Sequence, residues 1–201
     1  MPHVPADERR QQLVDATLRV VAREGMANAT TRRIAQEAGA STAAIHYCFS
    51  SKEDLYLATY KSLVDQERGM SDLTGYAGDL PEAAARILTR GTEWAIDYPD
   101  SARVAYELTL WAGRHHVDGD ATAVTIYELS LNEIYAVMVP ADQGNPAPSV
   151  GVLARLVIAI MDGLLLQWFA HEDTDRFRED TASACVMLRR FAMAMLDDLA
   201  A

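Results

Sequence analysis

The chain has 201 residues, of which half are hydrophobic and 23% charged, with a formal net charge of −11. That balance excludes a disordered chain, which buries too little apolar surface to offset the entropy of ordering, and it leaves room for one good-sized core or a small module joined to a larger one. The two cysteines, Cys48 and Cys185, lie far apart without metal-ligand spacing, which excludes a disulfide framework and a structural zinc site and favours a reducing compartment, the cytoplasm.

The first twelve residues lack the apolar run of a secretory leader, and the most apolar stretch, residues 150–170, is interrupted by Arg155, Asp162 and Gln167. Neither secretion nor membrane spanning is expected. Leu13, Val14, Thr17, Val20 and Val21 recur at helical spacing and predict a first helix over 7–24, ended by Gly25. A short second helix fits 31–38 with Thr30 or Thr31 as N-cap, and a third fits 42–49 with Ser41 as N-cap. Gly39 stands between them. Ser51 and Asp54 resemble a capping box opening a fourth helix that runs to about Arg68, and Gly69, Gly75 and Gly78 mark a loop.

Pro81 belongs to the first turn of a helix reaching about Tyr98, Pro99 interrupts it, and further helices cover 101–112 and 121–139. The run at 140–149, with three prolines and a glycine, is the most loop-like in the chain. Two long helices then cover about 149–170 and 174–199. No stretch alternates apolar and polar residues as a strand does, so the expected fold is all-α with about nine helices.

Charge is unevenly placed along this plan. Residues 1–61 carry eight Lys/Arg against seven Asp/Glu, whereas residues 62–201 carry ten against twenty-two. The first part is therefore weakly basic and suited to approach a polyanion, and the second is not.

In the segment 30–55, Ile34, Ala35 and Ala38 share one face of the second helix, and Ile45, Cys48 and Phe49 share one face of the third. Two such helices can bury those faces against each other, with Ala35 small enough for the crossing and Gly39 free to take a positive φ in the turn. Thr42, Ala43, His46 and Tyr47 are left facing outward. Alanine permits close backbone approach and contact with a thymine methyl, while hydroxyl and imidazole groups bond base edges or phosphates. Thr31, Tyr47 and Lys52 are placed to grip phosphates beside helix N-termini.

The run Thr31, Ile34-Ala35, Ala38-Gly39, Ser41, Ile45, Tyr47, Phe49, Ser51-Lys52-Glu53 and Leu55, after a helix ending near Gly25, resembles the N-terminal domain of the TetR family of transcriptional regulators. The stretch 161–169, MDGLLLQWF, is similar to the penultimate helix of many members. The resemblance implies a homodimer whose third helix enters the major groove, and a C-terminal helical domain that binds a small-molecule inducer and pairs through its last two helices. It implies a DNA-contacting set of Thr31, Ser41, Thr42, Ala43, His46, Tyr47 and Lys52. Members often carry Tyr at the position of His46, and His or Tyr at that of Cys48, so the operator sequence is not inherited from a relative.

The corresponding division is a helix-turn-helix domain over 1–55, with a linking helix to about 68, and an effector-binding and dimerisation domain over 69–201. Trp94, Tyr98, Tyr106 and Trp111 flank the Pro99 break and are the candidate ligand-binding aromatics, lining an apolar cavity between helices. Asp162, Gly163, Leu166, Leu188, Phe191 and Met195 are the candidate dimer residues. A carboxylate in so apolar a helix as that of Asp162 needs a partner, water or a ligand.

Other constellations have simpler readings. Cys48 lies three residues after Ile45 and is expected to be a small core hydrophobe. Arg32 and Arg33 are either solvated charges or phosphate contacts. His115 and His116, near Asp118 and Asp120, are adjacent on a loop and lack the spacing that converges on one ion. There is no nucleophile elbow, no phosphate-cradling glycine loop and no cofactor motif, so an enzyme is not expected. The expected protein is a ligand-responsive regulator, most simply a repressor binding a pseudo-palindromic operator as a homodimer. The rival is a helical carrier or enzyme that keeps the helix-turn-helix as scaffold, and a second rival is an activator.

Overall fold

The computed structural model describes residues 5–69, 76–114, 122–140 and 147–200. Among them are nine α-helices and no strand: α1 Ala6–Glu24, α2 Thr31–Glu37, α3 Thr42–Cys48, α4 Lys52–Arg68, α5 Leu80–Asp97, α6 Pro99–Arg114, α7 Thr122–Met138, α8 Pro148–His171 and α9 Thr174–Ala200, with a 3-10 turn over Met26–Asn28. The all-α expectation holds. Pro99 does more than interrupt: its fixed φ opens α6 two residues earlier than the spacing of apolar residues indicates. Gly75, the His115–His116 pair and most of the proline-rich loop lie outside the described residues.

The helices form two compact units, one containing residues up to Gln66 together with 100–126, the other containing 67–99 and 127–201. In the first unit Leu13, Ala16 and Val20 of α1 meet Ile34 of α2, Ile45 of α3 and Leu55 of α4 in a core closed to solvent. Gly25 stops α1 at φ 75°, where a side chain would be strained. The next amide, Met26 N–H, donates to the Glu107 carboxylate of α6 at 2.9 Å. Tyr56 is buried in α4, donates to the Ala29 carbonyl at 2.7 Å and meets the Trp111 ring edge-on at 4.8 Å. The turn that precedes α2 is thus tied to both α4 and α6.

In the second unit α5 packs on α8 and α9 through Ala83, Ala84, Ala85 and Leu88, all fully buried. A run of alanines lets the helices approach closely, because no long side chain stands between them. The Thr92 and Thr181 hydroxyls are 2.9 Å apart in this interior, and Thr181 also donates to the Phe177 carbonyl at 2.8 Å. Cys185 is a buried thiol facing the Ala85 carbonyl at 3.3 Å. Helix α8 is long and apolar enough to cross a membrane by length and composition alone, with a third of its most apolar window buried inside the chain.

Candidate nucleic-acid interface

The turn between α2 and α3 is built by backbone geometry. Gly39 takes φ 61°, and the amides of Gly39 and Ala40 donate to the carbonyls of Gln36 and Ala35 at 3.2 and 2.9 Å. This is the Schellman pattern, which satisfies carbonyls that the end of α2 leaves without intrahelical donors. Thr30 caps α2 by accepting from the Arg33 amide at 3.2 Å, and Ser41 caps α3 by accepting from the Ala44 amide at 3.3 Å. Both caps face the same pair of short helices, whose few intrahelical bonds could not hold them alone.

Ile45 and Phe49 anchor α3 in the core, and the opposite side is left to solvent. Ser41, Thr42, Ala43 and His46 are exposed, and Tyr47 is 81% exposed, with no core contact to explain its ring. Thr31, at the first turn of α2, is half-buried. Cys48 is half-buried too, less enclosed than the core position expected for it.

The far end of α3 is held by a side chain of α1. Arg10 of α1 donates through Nη1 to the Cys48 carbonyl at 2.7 Å, lies 4.1 Å over the Phe49 ring, and has Asp54 at 3.7 Å. Asp54 accepts from the Ser50 amide at 3.0 Å, while its own amide donates to Ser51 Oγ at 3.1 Å. Cation and carbonyl suit each other at a helix C-terminus, where the macrodipole is negative.

Cations near the exposed side of α3 divide into two groups. Arg33 donates twice to Glu24, at 3.0 and 2.6 Å, and reaches Glu37 at 3.2 Å. Glu37 also takes Arg19 at 3.1 Å and Arg23 at 2.6 Å. The hydrogen bond from Arg19 leads in holding the Glu37 carboxyl below its usual range, against a smaller opposing effect of burial. Arg33 is therefore committed to carboxylates within the unit. Arg32 is exposed on α2, and no hydrogen bond or ion pair occupies it among the described residues. Lys52 opens α4 with its Nζ 5.1 Å from the Tyr56 ring centre, and burial pushes its ammonium pKa down.

The other candidate residues belong to α5, α6, α8 and α9 or their ends. Trp94 is 6% exposed and its indole N–H has no hydrogen-bond partner among the described residues; Tyr98 caps the end of α5 and is exposed. Both belong to the second unit, whereas Tyr106 and Trp111 belong to the first, Trp111 against Tyr56. On α8 and α9, Leu166 is 54% exposed, Phe191 is exposed, and Gly163 and Met195 are half-buried. Leu188 is 1% exposed and points into the unit's own core, so its face of α9 is the inner one. Met187 and Met193, which the sequence reading passed over, are on the exposed side with Val186 and Leu196. Asp162 is half-buried; burial pushes its carboxyl pKa up, and a hydrogen bond with Tyr127 opposes that.

Comparison with known proteins places these features. Residues 13–59 match the family model described as bacterial regulatory proteins, tetR family. The HTH-type nicotine-responsive transcriptional repressor HdnoR of Paenarthrobacter nicotinovorans is 33% identical over 177 residues, covering 86% of this chain and 89% of HdnoR. The HTH-type transcriptional regulator BetI of Brucella canis is 38% identical over 200 residues, covering 98% of this chain and 96% of BetI. Among solved structures, the transcriptional regulator FadR from Bacillus subtilis in complex with stearoyl-CoA shares the fold with a TM-score of 0.66 at 18% identity, over 89% of this chain and 96% of FadR.

Proposed function

The chain belongs to the tetR family of bacterial regulatory proteins, and from that premise we propose that it is a repressor that binds a pseudo-palindromic operator as a homodimer and is released by a small-molecule effector. Its class is that of the ligand-responsive, DNA-binding transcriptional regulators. The observation that carries the finer reading is the outward side of α3, where Thr42, Ala43, His46 and Tyr47 stand in solvent above an anchored Ile45 and Phe49.

In this reading residues 1–55 are the DNA-binding domain and 69–201 the effector and dimerisation domain, joined by the helix that ends at Arg68. Ala43 and His46 read base edges; Thr31, Ser41, Thr42, Tyr47 and Lys52 position the helix on phosphates. Repression is supported by HdnoR, which is named a repressor. An effector with an apolar body is supported by FadR in complex with stearoyl-CoA and by the buried Trp94. Pairing through the exposed apolar sides of α8 and α9 makes a four-helix contact, and closed two-fold symmetry is the commonest form of such contacts. That same contact accounts for the apolar character of α8 in a cytoplasmic, non-enzymatic protein.

The effector acts by binding the DNA-incompetent arrangement more tightly, since equal affinity for both arrangements shifts nothing. Selection of bound sequences from a randomised duplex library tests the reading. A palindrome with half-sites one helical turn apart is expected; enrichment of no sequence at moderate salt rejects it.

A further inference from the structure

The outward side of α8 is nearly symmetric about its middle. Val152, Ala159 and Leu166 follow one line along the helix, all exposed, with Val152 and Leu166 seven residues to either side of Ala159. Arg155 and Asp162 stand along one edge of that line, four residues before Ala159 and three after it. Leu156 and Gly163 stand along the other edge, three before and four after. Leu156 is exposed, and a Cβ at Gly163 would have nothing within 4 Å. A contact between two identical surfaces needs such a pattern, since whatever a residue meets on the partner must meet that residue in return.

Charge on this side is uncompensated within the subunit. Arg155 is exposed, and no ion pair or hydrogen bond occupies it among the described residues. Asp162 is half-buried and accepts from Tyr127, a neutral phenol, with no cation beside it among the described residues. The two are separated by two turns, about 10 Å along the axis, and do not close on each other. A carboxylate partly removed from water without a cation is destabilising, and a cation supplied by another chain relieves that.

We infer that α8 pairs antiparallel with α8 of a second copy across a two-fold axis beside Ala159, Arg155 of each copy bonding Asp162 of its partner. Such an axis keeps each edge of the line on its own side, so arginine meets carboxylate twice. On the other edge Leu156 enters the space over the partner's Gly163, and along the middle Val152 lies by the partner's Leu166. The small Ala159 at the crossing lets the two backbones come close. An axis running along the helices would instead set α8 against the partner's α9, at the level the two helices share within a subunit. Trp168 stacks on Phe177 at 5.0 Å, and thirteen residues from that contact on each helix stand Arg155 and Arg190, both exposed. That arrangement places arginine against arginine, which like-charge repulsion disfavours. The inference rests on the homodimer reading and specifies the register of its contact.

The test is sedimentation of the full chain at micromolar concentration. Arg155→Glu sets carboxylate against carboxylate at both contacts, and Asp162→Lys sets cation against cation. Each variant alone should therefore dimerise about tenfold or more weakly than the unaltered protein. Mixed together, the two variants should recover tight dimers, because each then supplies the charge that the other lacks. Ala159→Cys should give a disulfide-linked dimer under mild oxidation that the unaltered protein does not give, since residues facing at a close crossing come within disulfide range. Single charge variants that dimerise as tightly as the unaltered protein, or a mixture no tighter than its components, overturn the inference while the homodimer reading stands. Should a charge variant fail to fold, the crosslink at residue 159 decides, and its absence overturns the inference. An unaltered protein that sediments as a monomer overturns both.

Discussion

Arg10 of α1 donates to the Cys48 carbonyl at 2.7 Å, closing the last turn of α3 from a helix 38 residues away. Because the same guanidinium lies over Phe49, the end of α3 and its anchoring ring are fixed by one side chain. Arg10 therefore positions α3, the proposed reading helix, from within the unit. Arg10→Ala should lower folding stability by about 1–2 kcal/mol and weaken operator binding, with an unchanged dependence of affinity on salt. Lys52→Ala should behave oppositely, leaving stability nearly intact while reducing the salt slope by roughly one unit for operator and random DNA alike. Fluorescence anisotropy from 50 to 200 mM salt distinguishes them, and a reduced slope for Arg10→Ala would make it a phosphate contact instead.

His46 stands on the exposed side of α3 one residue before Tyr47. His46→Ala should change preference among operator variants more than it changes affinity for random duplex, with about 1–3 kcal/mol of discrimination lost at the base pair it faces. Library selection with both proteins measures this. The same consensus from each would remove His46 from base reading.

Glu37 gathers Arg19, Arg23 and Arg33, and its carboxyl pKa is lowered below the ordinary glutamate value. A carboxyl depressed in the folded state contributes stability that is present above the unfolded pKa and is lost as pH falls through the folded one. The protein should therefore lose melting temperature below about pH 4.5. Glu37→Gln should lower the melting temperature at pH 7 and flatten that acid limb. An identical acid limb in the variant would show that the three-arginine cluster contributes nothing.

Leu166 and Phe191 are exposed on α8 and α9, whereas Leu188 is enclosed. Leu166→Glu and Phe191→Glu place charge on the proposed dimer contact and should give monomers at micromolar concentration by sedimentation, with subunit folding retained. Leu188→Ala should instead cost about 2–5 kcal/mol of subunit stability through the cavity it leaves. Dimers in both glutamate variants would move the pairing surface elsewhere.

The parts of this fold that were legible in the sequence are those decided within a few residues. The caps at Thr30 and Ser41, the stop at Gly25 and the turn at Gly39 each depend on local backbone chemistry, and each lies where the spacing placed it. Contacts between distant segments were not legible. Arg33 could be read as a phosphate ligand until Glu24 is seen beside it, and nothing near Arg10 in the chain announces Cys48. The inward turn of Leu188 was hidden for another reason. A helix flanked by apolar residues on several sides gives no periodic signal for which side is the core. The four aromatics around Pro99 were grouped by sequence proximity, and the division of the chain into its two units falls at that proline.

The central claim is that the outer side of α3 lies in the major groove, twice, on one face of the duplex. A photoreactive benzoylphenylalanine in place of Tyr47, an exposed position that tolerates the larger ring, measures it directly on the selected operator. The account predicts crosslinks at two symmetric places about 34–36 Å apart along the axis. A variant that still binds the operator tightly but crosslinks nowhere, or at one place only, would contradict it.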